Sequence, residues 1–229
     1  SVVPTTRLIW CSLNPECGNE VELRSVQPSK ELKKVLVAGG GPGGLQAAVK
    51  AAERGHQVIL CEATGELGGQ ILCERHVPFK QDFFRFAQWL VRQAKSYKNI
   101  DIRLNTPVTR QLVDEIAPDT LICAVGSEDL VPPIPGIHGK NVLFPADLKG
   151  ETFPEFGRRV VIIGGGLVGC ETAVHLKREG KQVTIVEMKD AWAQDAHYFH
   201  RVGLDIELRD AVEIRLNTCA KEIREDGLT

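Results

Sequence analysis

Two clusters of glycines are the residues whose types and spacing could do chemistry in this sequence. GGGPGG at residues 39–44 follows the β-branched run KVLVA, and GGGLVG at residues 164–169 follows RVVII. A strand that ends on such glycines and begins a helix brings several backbone N–H groups together at the partly positive end of the helix dipole. We predict that each cluster binds the pyrophosphate of a dinucleotide, with two purely structural turns as the alternative.

An acidic residue follows each glycine cluster at the end of the next β-rich run. The distance from Gly39 to Glu62 is 62 − 39 = 23 positions, and from Gly164 to Glu187 it is 187 − 164 = 23 positions. A carboxylate there accepts hydrogen bonds from ribose hydroxyls and disfavours a 2′-phosphate. The second site is therefore predicted to take a dinucleotide without a 2′-phosphate, although Lys189 could still reach a phosphate.

The cysteines form no obvious catalytic set. Cys11 and Cys17 lie close together, which suggests a metal, a disulfide or a redox pair, but their spacing fits no common metal motif. Cys61, Cys123 and Cys170 fall in apolar runs and are expected to be small buried side chains. His197 and His200, three residues apart, are expected to have a surface role.

The elements that must position these residues occur twice. Each copy reads as strand, glycines, helix and strand, and IRLNT recurs at residues 102–106 and 214–218. The pattern predicts an α/β fold of two tandem Rossmann-like dinucleotide-binding units. We predict a lead-in at residues 1–33, a first dinucleotide-binding domain at 34–150 and a second at 151–229.

Two further features distinguish the first unit. Gly68, Gly69 and Gln70 form a second glycine turn aimed at the same ligand, and no such element is expected after Glu187. Residues 78–98 predict an amphipathic helix that packs on the sheet through a face with aromatic side chains, namely Phe83, Phe86 and Trp89 together with Leu90 and Gln93.

Composition narrows the function. The 229 residues are 43% hydrophobic and 25% charged, with a net charge of −2 and no apolar run long enough to cross a bilayer. Nucleic-acid and membrane partners are therefore not expected. Seven cysteines, an odd number, and the lack of a signal-peptide pattern favour the cytoplasm.

The motifs resemble the pyridine nucleotide-disulfide oxidoreductase superfamily, in which the first glycine motif with the GG turn holds FAD and the second holds NAD(P)H. ICAVGS at residues 122–127 is similar to the segment that closes the FAD site. The resemblance implies FAD contacts at Gly39, Gly41, Pro42, Gly43, Gly44, Glu62, Ala63, Gly69, Gln70, Val108, Ala124 and Gly126. It implies NAD contacts at Gly164, Gly166, Leu167, Val168, Gly169 and Glu187. Residues 34–150 are then the FAD-binding domain and residues 151–229 the NAD(H)-binding domain, in which the carboxylate of Glu187 favours NADH over NADPH. Neither dithiol motif of the superfamily's disulfide reductases is found, so no disulfide substrate is expected.

CSLNP at residues 11–15 resembles a segment of one branch, which includes 2,4-dienoyl-CoA reductases, 2-enoate reductases and trimethylamine dehydrogenase. The resemblance implies that Cys11 is the fourth ligand of a [4Fe–4S] cluster whose other three cysteines precede residue 1, while Cys17 has no assigned role. It also implies that hydride passes from NADH to FAD and electrons pass through the cluster to an upstream FMN barrel, which reduces an activated C=C bond. The alternative is a structural module that keeps ADP without redox turnover, as in trimethylamine dehydrogenase.

The resemblance further implies that the chain is a fragment of a larger NAD(P)H-dependent flavin oxidoreductase, with its second unit incomplete at the C-terminal end, and is inactive alone. No side chain is assigned a catalytic acid or base role, because the protein's task is to position cofactors. The partners implied are the FMN barrel of the same polypeptide and a nicotinamide nucleotide. A homo-oligomer of the full-length protein is left open.

Overall fold

A computed structural model describes residues 11, 13, 14, 16–23 and 27–229 of the chain. The chain forms two compact units, the first ending at Glu128 and the second running Asp129–Thr229. Each unit is built on a parallel β-sheet with helices packed against it. The predicted α/β class with two tandem Rossmann-like units is confirmed.

The strands and helices alternate along most of the chain. The strands are β1 Lys34–Ala38, β2 Gln57–Cys61, β3 Ile100–Arg103, β4 Thr120–Cys123, β5 Arg159–Ile163, β6 Gln182–Val186, β7 Glu213–Arg215, β8 Ile223–Arg224 and β9 Gly227–Leu228. The α-helices are α1 Glu20–Leu23, α2 Pro42–Glu53, α3 Gln81–Ser96, α4 Arg110–Ile116, α5 Leu167–Arg178 and α6 Tyr198–Leu208. Short 3-10 helices span Gly69–His76, Pro78–Lys80 and Pro145–Lys149.

The first unit has a four-stranded sheet in the order β3-β2-β1-β4, with every neighbouring pair parallel. The central strand β1 is apolar because it is buried in the middle of the sheet. Leu45 and Ala48 of α2 and Leu90 of α3 pack in the same core. This packing holds the carboxyl end of β1 against the start of α2, where the first glycine cluster lies.

The second unit repeats this plan with a three-stranded parallel sheet in the order β5-β6-β7. Helix α5 packs on it through Cys170, Ala173 and Val174, and α6 adds Leu204 and Leu208 to the core. The hairpin β8–β9 forms a separate antiparallel pair. The order β7-β6-β5 matches β3-β2-β1 of the first unit, so the second glycine cluster again follows the first strand of its unit.

The division between the units comes earlier than the domain boundary predicted after Gly150. Residues 129–150 belong to the second unit because their loop is held by its C-terminal hairpin. The Ile223 N–H donates to Pro135 O at 2.8 Å, and Asn141 Nδ2 donates to Arg224 O at 2.8 Å. The prolines and glycines of residues 126–141 predict an irregular connection between the two repeats, but they do not show which unit that connection packs against.

The face by which α3 packs on the sheet also differs from the prediction. Its buried residues are Ala87, Leu90 and Ala94, whereas Phe83 and Trp89 are exposed. Trp89 stacks on Phe86 with ring centroids 5.9 Å apart instead of entering the core. The face that meets the core therefore consists of Leu90 with the small residues Ala87 and Ala94, and Phe86 packs partly buried beside them. The predicted packing of this face is therefore correct for Leu90 and Phe86 and wrong for Phe83 and Trp89.

Within the part of the chain that the structure describes, no helix is both long enough and apolar enough to cross a bilayer.

Candidate functional site

The first glycine cluster forms a tight turn between β1 and α2. Gly39 has φ +105°, a conformation that a side chain strongly disfavours, and its N–H donates to Cys61 O at 2.8 Å. A Cβ on Gly44 would lie 1.9 Å from Gly39 O, so strand and helix touch at a point where only glycine fits. Helix α2 then begins at Pro42 with no side-chain cap from Gly41. This arrangement leaves its N-terminal end open to a ligand.

Glu62 follows β2 and binds the glycine turn directly. Its Oε2 accepts the Gly40 N–H at 2.7 Å, and its Oε1 accepts from the Thr64 N–H at 2.8 Å and from Thr64 Oγ1 at 2.9 Å. The residue is only 9% exposed. An ionised carboxylate has about four acceptor positions, so it retains capacity for a ribose hydroxyl. The sequence predicted a ribose contact but not that the same carboxylate fixes the glycine turn.

The second unit reproduces this geometry closely. Gly164 also has φ +105°, and a Cβ on Gly169 would lie 2.0 Å from Gly164 O. Glu187 is 8% exposed and accepts from the Gly165 N–H at 2.7 Å and the Lys189 N–H at 2.8 Å. Two copies of a turn, a helix start and a buried carboxylate therefore exist, one in each unit.

The repeated IRLNT segment fixes the backbone at each acidic residue. The Thr106 N–H donates to Glu62 O at 2.8 Å, and the Thr218 N–H donates to Glu187 O at 3.0 Å. Asn105 and Asn217, with φ +52° and +51°, make the left-handed turn that aims these donors. Asparagine is one of the few residues with a side chain that adopt this conformation readily. The repeat thus has the same structural task in both units.

Replacing Asn105 with alanine is expected to lower the free energy of unfolding by about 1 kcal/mol, because alanine is more strained at positive φ. Asn105→Gly relieves that strain and should stay within about 0.5 kcal/mol of the wild type. Urea denaturation measures both. Equal losses in the two variants would show that the side chain of Asn105, rather than its backbone conformation, stabilises the turn.

The GG turn of the first unit lies against the start of α2. The Gly68 N–H donates to Gly40 O at 2.9 Å, and a Cβ on Gly69 would lie 2.8 Å from Gly41 Cα. Gln70 Nε2 donates to Ser127 O at 2.8 Å, which joins this turn to the segment ICAVGS. The GG turn and the ICAVGS segment, which are far apart in sequence, therefore meet at the first glycine cluster.

The remaining residues predicted for the first site lie around this junction. The Ala124 N–H donates to Ala38 O at 2.8 Å, and the carbonyl of Ala124 closes over Gly39. Gly126 has open space where a side chain would be. Ala63 directly follows Glu62, and Val108 lies two residues beyond the Thr106 bond to Glu62. Their geometry is compatible with the predicted FAD contacts, which stay predictions.

The second unit does have a counterpart of the GG turn, and the prediction that it lacks one was wrong. The Ala193 N–H donates to Gly165 O at 2.7 Å, as Gly68 does to Gly40, and both spacings are 28 residues (68 − 40 and 193 − 165). Ala193 is buried with φ +45°. Nothing in the residue types Ala-Gln-Asp signals such a turn. Only the equal spacing between the two copies could have revealed it.

A carboxylate of the chain itself sits at the helix start of the second unit. Asp195 accepts the Leu167 N–H at 2.9 Å through Oδ1 and at 3.1 Å through Oδ2. The matching position in the first unit is Pro42, which has no N–H. Val168, the next residue predicted for this site, is exposed in the first turn of α5. The two helix starts therefore differ in charge, although their backbones agree.

The open space at the glycine clusters suits nucleotide phosphates. A Cβ on Gly43 or Gly164 would meet nothing within 4 Å, and one on Gly41 would meet only Gly69 Cα, at 3.7 Å. Helix α2 has no acidic residue in its first turn. In the first unit a phosphate could therefore approach the backbone N–H groups at the start of α2 without meeting an acidic side chain in that turn of the helix. The residues present thus fit a dinucleotide.

The cysteines divide into buried and exposed thiols. Burial raises the pKa of the Cys61 thiol and raises that of Cys170 to about 11, so both stay protonated near neutral pH. Cys123 is exposed, contrary to the prediction, because β4 is an edge strand of its sheet. Cys170 and Cys61 behave as the small buried side chains that the sequence predicted.

Cys11 is an exposed free thiol. Among the residues that the structure describes, no group of three or more His, Cys, Asp or Glu side chains could hold a metal ion. His197 and His200 likewise have contacts with protein groups: His200 Nε2 lies 3.0 Å from Glu171 Oε1, and His197 Nδ1 accepts from the Phe199 N–H at 3.4 Å. The described residues do not complete a cluster site around Cys11, and its role as a ligand stays a prediction.

Comparison with known proteins agrees with this geometry. Residues 33–228 match the family described as pyridine nucleotide-disulphide oxidoreductase. An NADH oxidase of Thermoanaerobacter brockii is 41% identical over 197 residues, which are 85% of this chain and 30% of that protein. A cinnamate reductase of Clostridium sporogenes is 34% identical over 223 residues, covering 96% of this chain and 33% of that protein.

A solved 2-naphthoyl-CoA reductase in complex with 2-naphthoyl-CoA has the same fold, with a TM-score of 0.83 and 31% identity. The match covers 95% of this chain and 33% of that one. The chain thus spans about a third of the length of the relatives that it matches. The predicted resemblance to reductases of the enoate and dienoyl-CoA type is confirmed.

Proposed function

The chain belongs to the pyridine nucleotide-disulphide oxidoreductase family, and from this premise we propose that its first unit binds FAD and its second binds NAD(H). The observation that carries the proposal is the duplicated site, in which a glycine turn, a helix start and a buried glutamate have the same geometry twice. When bound, the two cofactors supply hydride transfer from the nicotinamide to the flavin.

The residues of the chain act as binding and orienting groups in this proposal. Glu62 and Glu187 accept hydrogen bonds from ribose hydroxyls while they hold Gly40 and Gly165 in place. The helix starts of α2 and α5 face the two pyrophosphates with their backbone N–H groups. A carboxylate at Glu187 disfavours a 2′-phosphate, which supports NADH over NADPH as the nucleotide.

The order of the ligands rests on the difference between the helix starts. The first has a glycine turn against it and no acidic residue, which suits a cofactor that stays bound. The second has Asp195 at the same place, which suits a nucleotide that binds and leaves. These features support FAD in the first unit and NAD(H) in the second.

The proposal for the whole protein goes further. The cinnamate reductase and naphthoyl-CoA reductase relatives support a larger oxidoreductase that reduces an activated C=C bond, with an upstream FMN domain in the same polypeptide. Cys11 would be one of four ligands to a [4Fe–4S] cluster in that protein. The free cysteines of this chain support a reducing, cytoplasmic location for the whole protein.

Flavin analysis of the full-length protein tests the assignment of the first unit. Denaturation should release FAD in addition to any FMN, and NADH should bleach the flavin absorbance of the native protein. A protein that releases ADP and no FAD would instead be the nucleotide-binding module without redox turnover, and the proposal would be rejected.

Gly166→Val tests the assignment of the second unit. A Cβ there would lie 3.4 Å from Asp195 Oδ2, so valine can be accommodated but its methyl groups fill the space that a phosphate needs. We expect at least a tenfold rise in the dissociation constant for NADH, which is about 1.4 kcal/mol, with the FAD content unchanged. Calorimetry and flavin absorbance measure the two quantities. Gly203→Ala, at an uncrowded position of α6, is the control.

A loss of FAD together with NADH in Gly166→Val would contradict the assignment of one nucleotide to each unit.

A further inference from the structure

The start of α5 is the place where a negative side chain and a negative ligand would compete. The Leu167 N–H, the first of the helix, is held by both oxygens of Asp195 at 2.9 and 3.1 Å. A pyrophosphate that binds a glycine cluster uses the N–H groups at this end of the helix. The carboxylate therefore occupies a donor that the nucleotide would need.

The backbone around Asp195 is hydrogen-bonded to the second glycine turn. This anchoring positions the carboxylate at the start of α5. The Ala193 N–H donates to Gly165 O at 2.7 Å, and the Ala196 N–H donates to Ala193 O at 3.1 Å. Ala193 is 1% exposed, and Trp192 packs against the core. Asp195 itself is exposed, so its side chain can rotate into solvent while the backbone stays in place.

The first unit provides an internal comparison. Its turn at Gly68 makes the same hydrogen bond to Gly40, but the residue that matches Asp195 is Gln70, whose amide is turned away to Ser127 O at 2.8 Å. Its first helical residue is Pro42, which offers no N–H for a side chain to cap. The second unit therefore has both the acidic residue and the N–H that it caps. The first unit has neither, since Gln70 and Pro42 stand at the matching positions.

We propose that Asp195 is an internal competitor of the nucleotide pyrophosphate in the second unit and sets its affinity. Asp195 caps Leu167 in the free protein, gives up this N–H when the nucleotide binds, and repels the phosphates throughout. The second site thereby releases its nucleotide more readily than the first. This inference rests on the proposed binding of NAD(H) in the second unit.

Removing the charge while keeping an oxygen acceptor tests the proposal. Asp195→Asn should lower the dissociation constant for NAD⁺ at least tenfold at low ionic strength, as measured by calorimetry on the oxidised full-length protein. Because salt screens the repulsion, the difference from the wild type should shrink as ionic strength rises. A purely structural cap would show no such salt dependence.

Asp190→Asn is the matched control, since it removes the same charge from the same exposed segment, and Asp190 Oδ1 contacts only Gln194 Nε2, at 3.4 Å, among the contacts described. Its affinity for NAD⁺ should stay within about twofold of the wild type. The FAD content of each variant reports that the protein is folded. If Asp195→Asn does not fold, Asp195→Ser keeps an oxygen near Leu167 and tests the same point.

The outcomes separate this inference from the proposal on which it rests. Wild-type binding of NAD⁺ with equal or weaker binding by Asp195→Asn would overturn the role of Asp195 alone. An absence of NAD⁺ binding in the wild type and in every variant would overturn the proposed function, and this inference with it. If Asp195→Asn alone binds NAD⁺ more tightly than the wild type, and if salt reduces that difference, the result supports both the role of Asp195 and the proposed function.

Discussion

Replacing Gly44 with alanine is expected to destabilise the first unit by about 3 kcal/mol or more and to abolish retention of FAD. The added Cβ would lie 1.9 Å from Gly39 O and 3.0 Å from the Gly39 carbonyl carbon. Backbone lies on both sides of this contact, so no side chain can move aside to relieve it. Strand β1 and helix α2 would have to separate, which opens the turn that faces the pyrophosphate.

Gly43→Ala is the matched control for this substitution. Gly43 is the neighbouring residue of the same helix, and a Cβ there meets nothing within 4 Å. Alanine at an unhindered helical position should raise stability by about 0.5–1 kcal/mol. Denaturant unfolding distinguishes the two variants, and flavin content is compared with the wild type for Gly44→Ala alone because Gly43 is itself a predicted FAD contact. A Gly44→Ala protein that is as stable as Gly43→Ala would show that the close packing of β1 and α2 does not determine the site.

The duplicate should respond in the same way. A Cβ on Gly169 would lie 2.0 Å from Gly164 O, so Gly169→Ala is expected to damage the second turn as Gly44→Ala damages the first. Comparing FAD retention and NADH affinity in the two variants then assigns each turn to its nucleotide. Because the two contacts differ by only 0.1 Å, a difference in outcome would come from the ligand rather than from the severity of the clash.

The sequence predicted those parts of the fold that depend on local pattern. The predicted alternation of strands and helices gives the observed positions of three features. These are the two glycine clusters, the acidic residues 23 positions after each cluster begins, and the repeated IRLNT segments. Residue type alone indicates these features. Only glycine fits at position 44, where a Cβ would meet the backbone, and the left-handed conformation at position 105 favours asparagine.

The parts that sequence missed depend on which segments meet in space. The turn at Ala193 has no glycine to mark it, because a buried alanine is held at positive φ by the surrounding contacts. The cap formed by Asp195 joins residues 28 positions apart, and an aspartate in a polar stretch carries no sign of its partner. Cys123 lies in an apolar run, which predicts burial, but it is exposed because β4 is an edge strand. Residue type does not show which strand lies at the edge of a sheet.

The two units thus share a backbone and differ in a few side chains that decide charge. The carboxylates of Glu62 and Glu187 hold equivalent N–H groups at equal distances of 2.7 Å. The helix starts, by contrast, carry Pro42 in one unit and a capped Leu167 in the other. Under the proposal that Asp195 sets the affinity of the second site, this difference lets a duplicated fold hold one nucleotide firmly and exchange another without any change in topology.

Replacing Glu62 with glutamine is expected to lower the free energy of unfolding by about 2–4 kcal/mol and to abolish FAD binding. The carboxylate accepts from the Gly40 N–H on one oxygen and from the Thr64 N–H on the other. A glutamine amide has only one oxygen, so its NH₂ group would face one of these donors at a site that is 9% exposed. A buried N–H then loses its partner, and the ribose hydroxyls lose an acceptor.

Glu187→Gln should weaken NADH binding at least tenfold for the same reason, because Glu187 accepts from the Gly165 and Lys189 N–H groups. Its loss of stability should be smaller than that of Glu62→Gln, since Glu62 also accepts the Thr64 hydroxyl. Glu115→Gln and Glu225→Gln remove exposed carboxylates, one from each unit, and serve as controls. Denaturant unfolding, flavin content and calorimetry with NADH give the three readouts.

The pair of substitutions separates the structural task of each carboxylate from its binding task. If Glu62→Gln loses FAD and Glu187→Gln loses NADH, each with the other ligand retained, the carboxylates act within their own units. If both variants lose stability but neither loses a ligand, the two glutamates serve only to hold the glycine turns. The ribose contacts would then have to come from other groups, because the buried carboxylates would have no remaining role in binding.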